Sequence, residues 1–180
     1  MNEICEFGHM LTVTGVHFNL LDPDPSKIKI EDIAHGLAYT CRWNGHTKTY
    51  YSVAEHSMRV HDEFSNYTRN RGMYSRKRAL AALLHDAEEA YWGDIIRPIK
   101  NMYPEIEEEI LKLRLIIMNK FDADYIGGVE NIIKADDIVL KWEYNNVVCL
   151  SKCVTEHPFL VKQKFLSLFD ILTENKRVNK

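Results

Sequence analysis

The sequence predicts an all-α fold, and three of its features lead to that prediction. Apolar residues recur at three- and four-residue spacing through several long segments, which is typical of amphipathic helices. Stretches in which apolar and polar residues alternate, as they do in strands, are few, and the chain has no internal repeat or low-complexity segment. Its 180 residues are a usual length for one domain, so we predict a single domain over 1–180, with a core at about 19–172 and a frayed end at 173–180.

The N-terminal part is predicted to be irregular at first and then to form a helix and a hairpin. The prolines of Asp22-Pro23-Asp24-Pro25 disfavour helix in the residues before them, so roughly the first 30 residues are predicted as loop. Apolar residues four apart indicate a short helix over 30–38. Asn44-Gly45 suits the left-handed torsions of a two-residue turn, which predicts a short hairpin over 39–51.

Five further helices are predicted after this hairpin. Ser52 is suited to an N-cap, and the helix after it would carry His56 on its buried face. A basic connector over 66–78 is expected to be solvated. The other helices are predicted over 79–91 and ended by Gly93, from Tyr103-Pro104-Glu105 with an acidic first turn, over 132–153 after a break at Gly127-Gly128, and over 159–172.

Composition and charge exclude several classes of protein. Hydrophobic residues make up 46% and charged residues 27%, an ordinary balance for a globular protein. Acidic residues outnumber basic ones by 26 to 23, so no overall positive field attracts a polynucleotide. The N-terminus lacks a signal-peptide pattern, and no apolar run approaches the roughly 20 residues of a membrane span. We expect a cytoplasmic protein without a membrane or polynucleotide partner.

The four cysteines follow neither a disulfide framework nor the spacing of a zinc finger. We therefore expect reduced and mostly buried thiols, and no structural zinc held by cysteine. The residues are Cys5, Cys41, Cys149 and Cys153.

Histidine and aspartate interrupt three of the apolar segments. The His85-Asp86 pair directly follows two leucines, with His56 upstream and Asp136 downstream. Two imidazoles and two carboxylates pack poorly in a core but suit a divalent metal with mixed nitrogen and oxygen ligands. A single buried histidine is more often an ordinary core residue, so the prediction depends on the combination. It predicts a metal-dependent hydrolase.

Further carboxylates follow the His-Asp pair. Glu89 lies three residues after Asp86, so on a helix it points to the same cavity one turn further on. Asp94 follows Gly93, where the backbone can turn back towards that cavity. Glu88 is one residue off this face and is predicted to face solvent. Periodicity alone does not choose between Asp136 and Asp137 as the fourth ligand.

The order His, His-Asp, Asp resembles the HD-domain phosphohydrolase superfamily. The segments that carry this resemblance are Tyr51 to Ser57, His85 to Ile95 and Lys134-Ala135-Asp136, within a likeness that runs from about Asn19 to Glu143. The chain is most similar to the small HD hydrolases that include bacterial 5′-deoxynucleotidases and phage dNTP triphosphohydrolases, some of them specific for dATP. The resemblance implies an HD-type helical bundle whose metal ligands are His56, His85, Asp86 and Asp136, with Asp137 as an outer partner.

The resemblance also implies roles for other residues. Arg42-Trp43 match an Arg-Trp pair before the first ligand, so Arg42 is expected to fork onto a phosphate and Trp43 to lie against sugar or base. Plain core packing is the alternative for Trp43. Glu89 matches an acid that activates water, and Asp94 matches an acid that contacts the sugar hydroxyl or a further metal. Candidates for further phosphate contacts, with solvated surface as their alternative, are His46, Lys48, Arg97 and Lys100.

These matches imply a divalent zinc, cobalt, manganese or iron ion, with magnesium or manganese at an additional position. The expected reaction is attack at the α-phosphorus of a deoxynucleotide. Our first prediction is a dNTP triphosphohydrolase that prefers dATP and releases triphosphate; the alternative is a deoxynucleoside 5′-monophosphatase. A non-catalytic nucleotide-binding module is the alternative of another class, and cleavage of an alarmone or a cyclic nucleotide is a lesser one. Because members of the superfamily often assemble, we expect a homo-oligomer.

Overall fold

The structure, a computed structural model, describes residues 7–150 and 156–174. Within these ranges the chain forms a bundle of helices and one small sheet, which confirms the all-α prediction. The helices are α1 (Ile30–Tyr39), α2 (Val53–Arg69), α3 (Arg76–Leu83), α4 (Glu89–Trp92), α5 (Arg97–Met102), α6 (Pro104–Lys120), α7 (Tyr125–Glu143) and α8 (Pro158–Thr173). A π-helical segment, Tyr144–Cys149, continues α7, and 3-10 turns cover Pro25–Lys27 and Trp43–Gly45.

The two-stranded sheet lies near the N-terminus, where the sequence predicted loop. Strand β1 (His9–Leu11) pairs antiparallel with β2 (His17–Asn19). Asp32 of α1 binds the connecting loop, since its carboxylate accepts from the Thr12 hydroxyl at 2.9 Å and from the Thr14 amide at 2.9 Å. The prediction of an irregular start was wrong for these two short strands only. The Asp32 contacts join residues about 20 positions apart, and local sequence does not reveal them.

The predicted hairpin over 39–51 is present only as a turn with one bridge. Asn44 and Gly45 have the predicted left-handed torsions, with φ of 52° and 79°. Trp43 is also left-handed, at φ 58°, so the chain coils into a 3-10 turn instead of extending into two strands. The ladder is reduced to a single antiparallel bridge between Cys41 and Ser52.

The predicted helix over 79–91 is interrupted at the His-Asp pair. Helix α3 ends at Leu83, and α4 begins only at Glu89. Nδ1 of His85 donates to the Ala82 carbonyl at 3.0 Å, and this oxygen would accept the Asp86 amide in a continuous α-helix. The intervening backbone is a tight turn, in which the Glu89 amide bonds to the Asp86 carbonyl at 3.0 Å. The pair therefore lies on a turn, which frees both side chains to point to one place.

Two boundaries near α7 also differ from prediction. Gly127-Gly128 does not break a helix but lies in the first turn of α7, where the Asp124 side chain caps the Gly127 amide at 2.9 Å. The helix predicted over 132–153 thus starts earlier, and its α-helical part ends at Glu143. Helix α6 begins where it was predicted to begin, and α8 begins and ends within one residue of its predicted bounds.

The hydrophobic core holds the site-bearing helices together. Helices α2, α3 and α7 pack against one another, and α8 closes the bundle on α1 and α3. One cluster of buried apolar residues extends from Phe18 to Leu172 and includes the fully buried Phe64 and Phe165. Because each such side chain stabilises the fold by about 1.5–3 kcal/mol, these helices form a rigid support. The division of the chain into domains stays a prediction.

The cysteine prediction is partly wrong. Cys41 and Cys149 are unpaired, as expected of reduced thiols, but Cys41 is half-buried and Cys149 is exposed. Cys149 is exposed because it lies at the end of the π-helical segment, beyond the core. Cys5 and Cys153 lie outside the described residues, as does most of the predicted frayed end. Among the described helices, none has the length and apolar content to cross a membrane.

Candidate metal centre and active site

Helix α2 positions the first candidate ligand, His56. Its N-terminus is closed by a capping box, in which the Ser52 hydroxyl accepts from the Glu55 amide at 3.2 Å and the Glu55 carboxylate accepts from the Ser52 amide at 2.9 Å. His56 lies one turn inside this cap and is fully buried. Its ring therefore points from a well-anchored first turn into the space between α2, α3 and α7.

Four predicted ligands converge in that space. The candidate ligand atoms of His56, His85 and Asp136 all lie within 4.8 Å of one another. The Nε2 atom of His56 is 3.2 Å from that of His85 and 3.2 Å from Oδ1 of Asp136. Oδ2 of Asp86 completes the group, at 3.4 Å and 3.3 Å from the two Nε2 atoms. The neighbouring Asp137 is exposed, so Asp136 is the member of that pair that joins this cluster.

The protonation pattern of the two imidazoles suits a metal ion. Nδ1 of His56 is 2.7 Å from Oε1 of the buried Glu143, and Nδ1 of His85 is 3.0 Å from the Ala82 carbonyl. Both partners are acceptors, so each Nδ1 carries a proton, and Nε2 of each ring is the nitrogen left to bind a metal ion in the shared space. Two ring nitrogens and two carboxylate oxygens that face one another form a mixed nitrogen and oxygen ligand set for a cation. The residues therefore fit a divalent transition metal.

The carboxylates keep this cluster electronegative. Burial and a nearby guanidinium lower the pKa of His56, but Glu143 and hydrogen bonds to Asp136 and Asp86 outweigh them and raise it well above its ordinary value. Burial acts to raise the pKa of Asp86 and of Asp136, yet the two imidazoles outweigh it and lower both values. Both acids are therefore ionised, as metal ligands must be.

Arg42 lies beside the cluster and touches three acids. Its Nη1 is 3.5 Å from Asp86 and 3.9 Å from Asp94, and its Nη2 is 3.4 Å from Glu143. Burial alone would lower the pKa of this guanidinium, but these carboxylates raise it, so the positive charge is secure. The Trp43 indole nitrogen donates to the same Glu143 oxygen at 3.2 Å. The predicted Arg-Trp pair is thus joined to the cluster.

Comparison with known proteins gives a family match over part of the chain. A family model described as 5′-deoxynucleotidase YfbR-like matches residues 32–120, which include Arg42, His56, the His85-Asp86 pair and Glu89. This match supports a relationship of the chain to the HD superfamily. The matched segment ends before Asp136, so the fourth member of this HD cluster rests on the structure and on the sequence pattern.

Two uncharacterized bacterial proteins are similar to this chain. An uncharacterized protein of Rhodobacter capsulatus is 53% identical over 135 residues, which cover 71% of this chain and 66% of the relative. The uncharacterized protein YfdR of Escherichia coli K12 is 35% identical over 114 residues, which cover 61% of this chain and 56% of the relative. The chain thus spans less than two thirds of the length of either relative.

Glu89 and Asp94 offer free carboxylate oxygens at the rim of the HD cluster. Glu89 Oε1 is 3.6 Å from Lys100 Nζ, while its Oε2 and Asp94 Oδ2 are buried without a hydrogen-bond partner among the described residues. Burial, followed by repulsion from Asp86 and Asp94, raises the pKa of Glu89 well above its ordinary value. Gly93, at φ 77°, turns the chain after α4 and brings Asp94 back to Arg42.

Glu88 does not face solvent, so that prediction was wrong. The residue is fully buried, and its Oε1 accepts from Nε of Arg114 at 3.1 Å and also from the Nη2 of that guanidinium. Arg114 Nη2 also lies 3.7 Å from Oδ1 of Asp86. The error arose because α3 and α4 are not one continuous helix, so helical spacing from Glu89 does not give the direction of Glu88.

The other predicted phosphate contacts lie at different distances from the cluster. Arg97 is exposed, yet its Nη2 is 3.9 Å from Asp136, and Lys100 meets Glu89 as described above. His46 and Lys48 occupy exposed positions in the turn after Trp43. A cavity of about 490 Å³ beside this turn is lined by residues that include Asn44, Trp92, Asp94 and Ile99. Its volume is within the range of small-molecule sites.

Sequence reasoning missed Glu143 and Arg114. Glu143 follows Asp136 by seven residues, two helical turns along the same face of α7, and this spacing was a signal that could have found it. Arg114 is 26 residues from Glu88, on α6, and no sequence pattern connects the two. Glu143 contacts His56 and Arg114 contacts Asp86, each at an atom other than the one that faces the shared space.

Proposed function

We propose that this HD protein is a metal-dependent phosphohydrolase that removes phosphate from 2′-deoxynucleoside 5′-monophosphates. The convergence of His56, His85, Asp86 and Asp136 carries the proposal, since it unites ligand atoms from α2, the α3–α4 turn and α7. The similarity of residues 32–120 to the 5′-deoxynucleotidase family supports a monophosphate substrate over the triphosphate substrate that we predicted first from the sequence.

The four ligands would hold zinc, cobalt, manganese or iron, which would lower the pKa of a bound water and neutralise phosphoryl oxygens. Asp94, with its unpartnered Oδ2, has the chemistry for an additional magnesium or manganese ion or for a sugar hydroxyl. The identity and number of the ions belong to this proposal.

Two side chains would act at the phosphate of the substrate. Glu89 has a buried carboxylate oxygen without a partner and would orient the attacking water and accept its proton. Arg42 would bind a phosphoryl oxygen, because its Nε is buried without a partner and its contacts to Asp86, Asp94 and Glu143 are long enough to rearrange. Attack in line with the leaving 5′-oxygen would give a deoxynucleoside and inorganic phosphate.

Dephosphorylation also needs a place for sugar and base. The 490 Å³ cavity adjoins Asp94 and the turn that carries Trp43, so a nucleoside bound there would present its 5′-phosphate towards Arg42. Asp94 would accept a hydrogen bond from a sugar hydroxyl, and Trp43 would contact the sugar or the base.

A dNTP triphosphohydrolase with dATP preference is the second candidate. The observation that favours it is the position of Arg97 and Lys100, two cations next to Asp136 and Glu89 on the outer side of the cluster. They would stabilise distal phosphates of a longer substrate. A monophosphate has no distal phosphates for Arg97 and Lys100 to bind.

Product analysis separates the candidates. We would incubate the protein with each dNMP and dNTP in manganese, cobalt, zinc or iron(II), and resolve phosphate from triphosphate by ion chromatography. Phosphate release from dNMPs supports the proposal, whereas triphosphate release from dATP without attack on dAMP supports the second candidate. Bound metal with no turnover of any nucleotide would favour a non-catalytic nucleotide-binding module.

A cytoplasmic homo-oligomer with a small deoxynucleotide as its substrate stays a prediction. Size-exclusion chromatography with light scattering measures the oligomeric state directly.

A further inference from the structure

Glu143 joins two parts of the site that lie far apart in sequence. Its Oε1 accepts from His56 Nδ1 at 2.7 Å, and its Oε2 lies 3.2 Å from the Trp43 indole nitrogen and 3.4 Å from Arg42 Nη2. The residue is fully buried. One carboxylate therefore contacts a candidate metal ligand with one oxygen and the Arg42-Trp43 pair with the other.

The segment after Glu143 binds the same turn. The Tyr144 ring lies beside the Trp43 ring, with centroids 6.3 Å apart, and the Val147 carbonyl accepts from the Lys48 amide at 3.2 Å. Val147 also packs with Tyr51 in a small buried cluster. We define the substrate turn as residues 42–48; it rests on the end of α7 and on the π-helical segment.

We propose that Glu143 is a positioning residue that couples occupation of the metal centre to the order of the substrate turn. The inference rests on the proposed function, because it assumes that His56 binds a metal ion through Nε2. A carboxylate held at Oε1 by a metal-bound imidazole cannot rotate freely, so its Oε2 stays where Trp43 and Arg42 donate to it. Metal binding thereby prepares the turn to receive a nucleotide, and a bound nucleotide in turn strengthens metal binding, as linkage requires.

Hydrogen exchange of the turn measures this coupling without any turnover. Four of its amides are hydrogen-bonded: those of Arg42, Gly45, His46 and Lys48. We expect zinc or manganese alone, without nucleotide, to slow their exchange in the wild-type protein by at least about fivefold, the lower end of typical coupling between sites. The loop between β1 and β2, residues 12–16, is the internal control and should not change.

Glu143→Gln tests whether this side chain carries the effect. A glutamine has one acceptor oxygen, so it can serve His56 or the turn but not both. We expect metal affinity to fall about 10- to 100-fold and, at saturating metal, the slowing of exchange in the turn to disappear. Glu130→Gln is the matched control: it is the same substitution on the same helix at an exposed position, and it should leave both quantities at wild-type values.

Trp43→Phe covers the case in which Glu143→Gln does not fold. It removes the indole donor from a half-buried ring and should reduce the slowing in the turn. Metal binding is measured separately by isothermal titration calorimetry. If metal binds to the wild type without slowing exchange in the turn, the coupling is wrong and the proposed function stands. If no metal binds, both are wrong. Full slowing in Glu143→Gln, or in Trp43→Phe if the first variant is unfolded, also overturns it.

Discussion

The buried ion pair behind the metal centre makes a quantitative prediction about stability. Glu88 is fully buried, and Arg114 contacts it through two guanidinium nitrogens, while a third nitrogen donates to the Tyr125 hydroxyl at 3.3 Å. The second oxygen of Glu88 has no partner among the described residues. Arg114→Met removes the charge but keeps much of the side-chain volume, so it leaves a buried carboxylate without compensation.

The size of the effect follows from this burial. Breaking a buried pair by removing one partner costs about 3–5 kcal/mol, because the remaining charge cannot be solvated. We therefore expect the free energy of unfolding of Arg114→Met to fall by about that amount, which reduces the folding constant by between roughly a hundredfold and several thousandfold. Removing both charges relieves the problem, so Arg114→Met combined with Glu88→Gln should be more stable than Arg114→Met alone.

Urea denaturation followed by circular dichroism measures these free energies. Arg76→Met is the matched control, because Arg76 pairs with Glu174 at the surface, where the two side chains are 49% and 75% exposed, and such pairs contribute about 0–1 kcal/mol. A loss below about 1 kcal/mol in Arg114→Met, equal to that of Arg76→Met, would show that Glu88 is solvated in solution. It would refute the account of the Glu88–Arg114 pair as a buried support for Asp86.

Three further substitutions test the site and its supporting helix. Asp86→Ala removes a ligand and should abolish metal binding in calorimetry; metal bound as in the wild type would contradict the ligand assignment. Glu89→Ala should retain the metal but lose roughly 10²- to 10⁴-fold in kcat, the range for a lost general base, and wild-type turnover would exclude that role. Ser52→Ala removes the cap of α2 and should lower the free energy of unfolding by about 1 kcal/mol in urea titrations. Ser75→Ala, at an N-cap whose side chain makes no capping bond, should change it much less, and equal losses would contradict the capping argument.

The local parts of this molecule were accessible from the sequence. Helix α6 starts where Pro104 and its acidic first turn predicted, and Ser52 caps α2 as expected. These features depend on neighbours within one or two turns, which the sequence records directly. The residue types of the cluster, His56 and the His85-Asp86 pair, were also evident, because polar groups in apolar helices need a reason to be buried.

Periodicity did not choose between Asp136 and Asp137. The resemblance to HD proteins pointed to Asp136, whose Oδ1 lies 3.2 Å from His56 Nε2 in the structure, whereas Asp137 is exposed. The direction of a side chain was less accessible still. The ring of His85 donates to the Ala82 carbonyl, which a continuous helix would use for a backbone hydrogen bond. The backbone forms a turn at this point, and Glu88 is therefore buried, although helical spacing predicted that it faces solvent.

The sequence by itself determined which side chains could bind a metal and which segments would be helical, since both depend on residue type and short-range spacing. Only the tertiary structure decided what stands behind the ligands: Glu143 against His56, and Arg114 against Glu88 and Asp86. These contacts join residues 26 to 87 positions apart. Packing of whole helices brings such pairs together, and no local pattern encodes it.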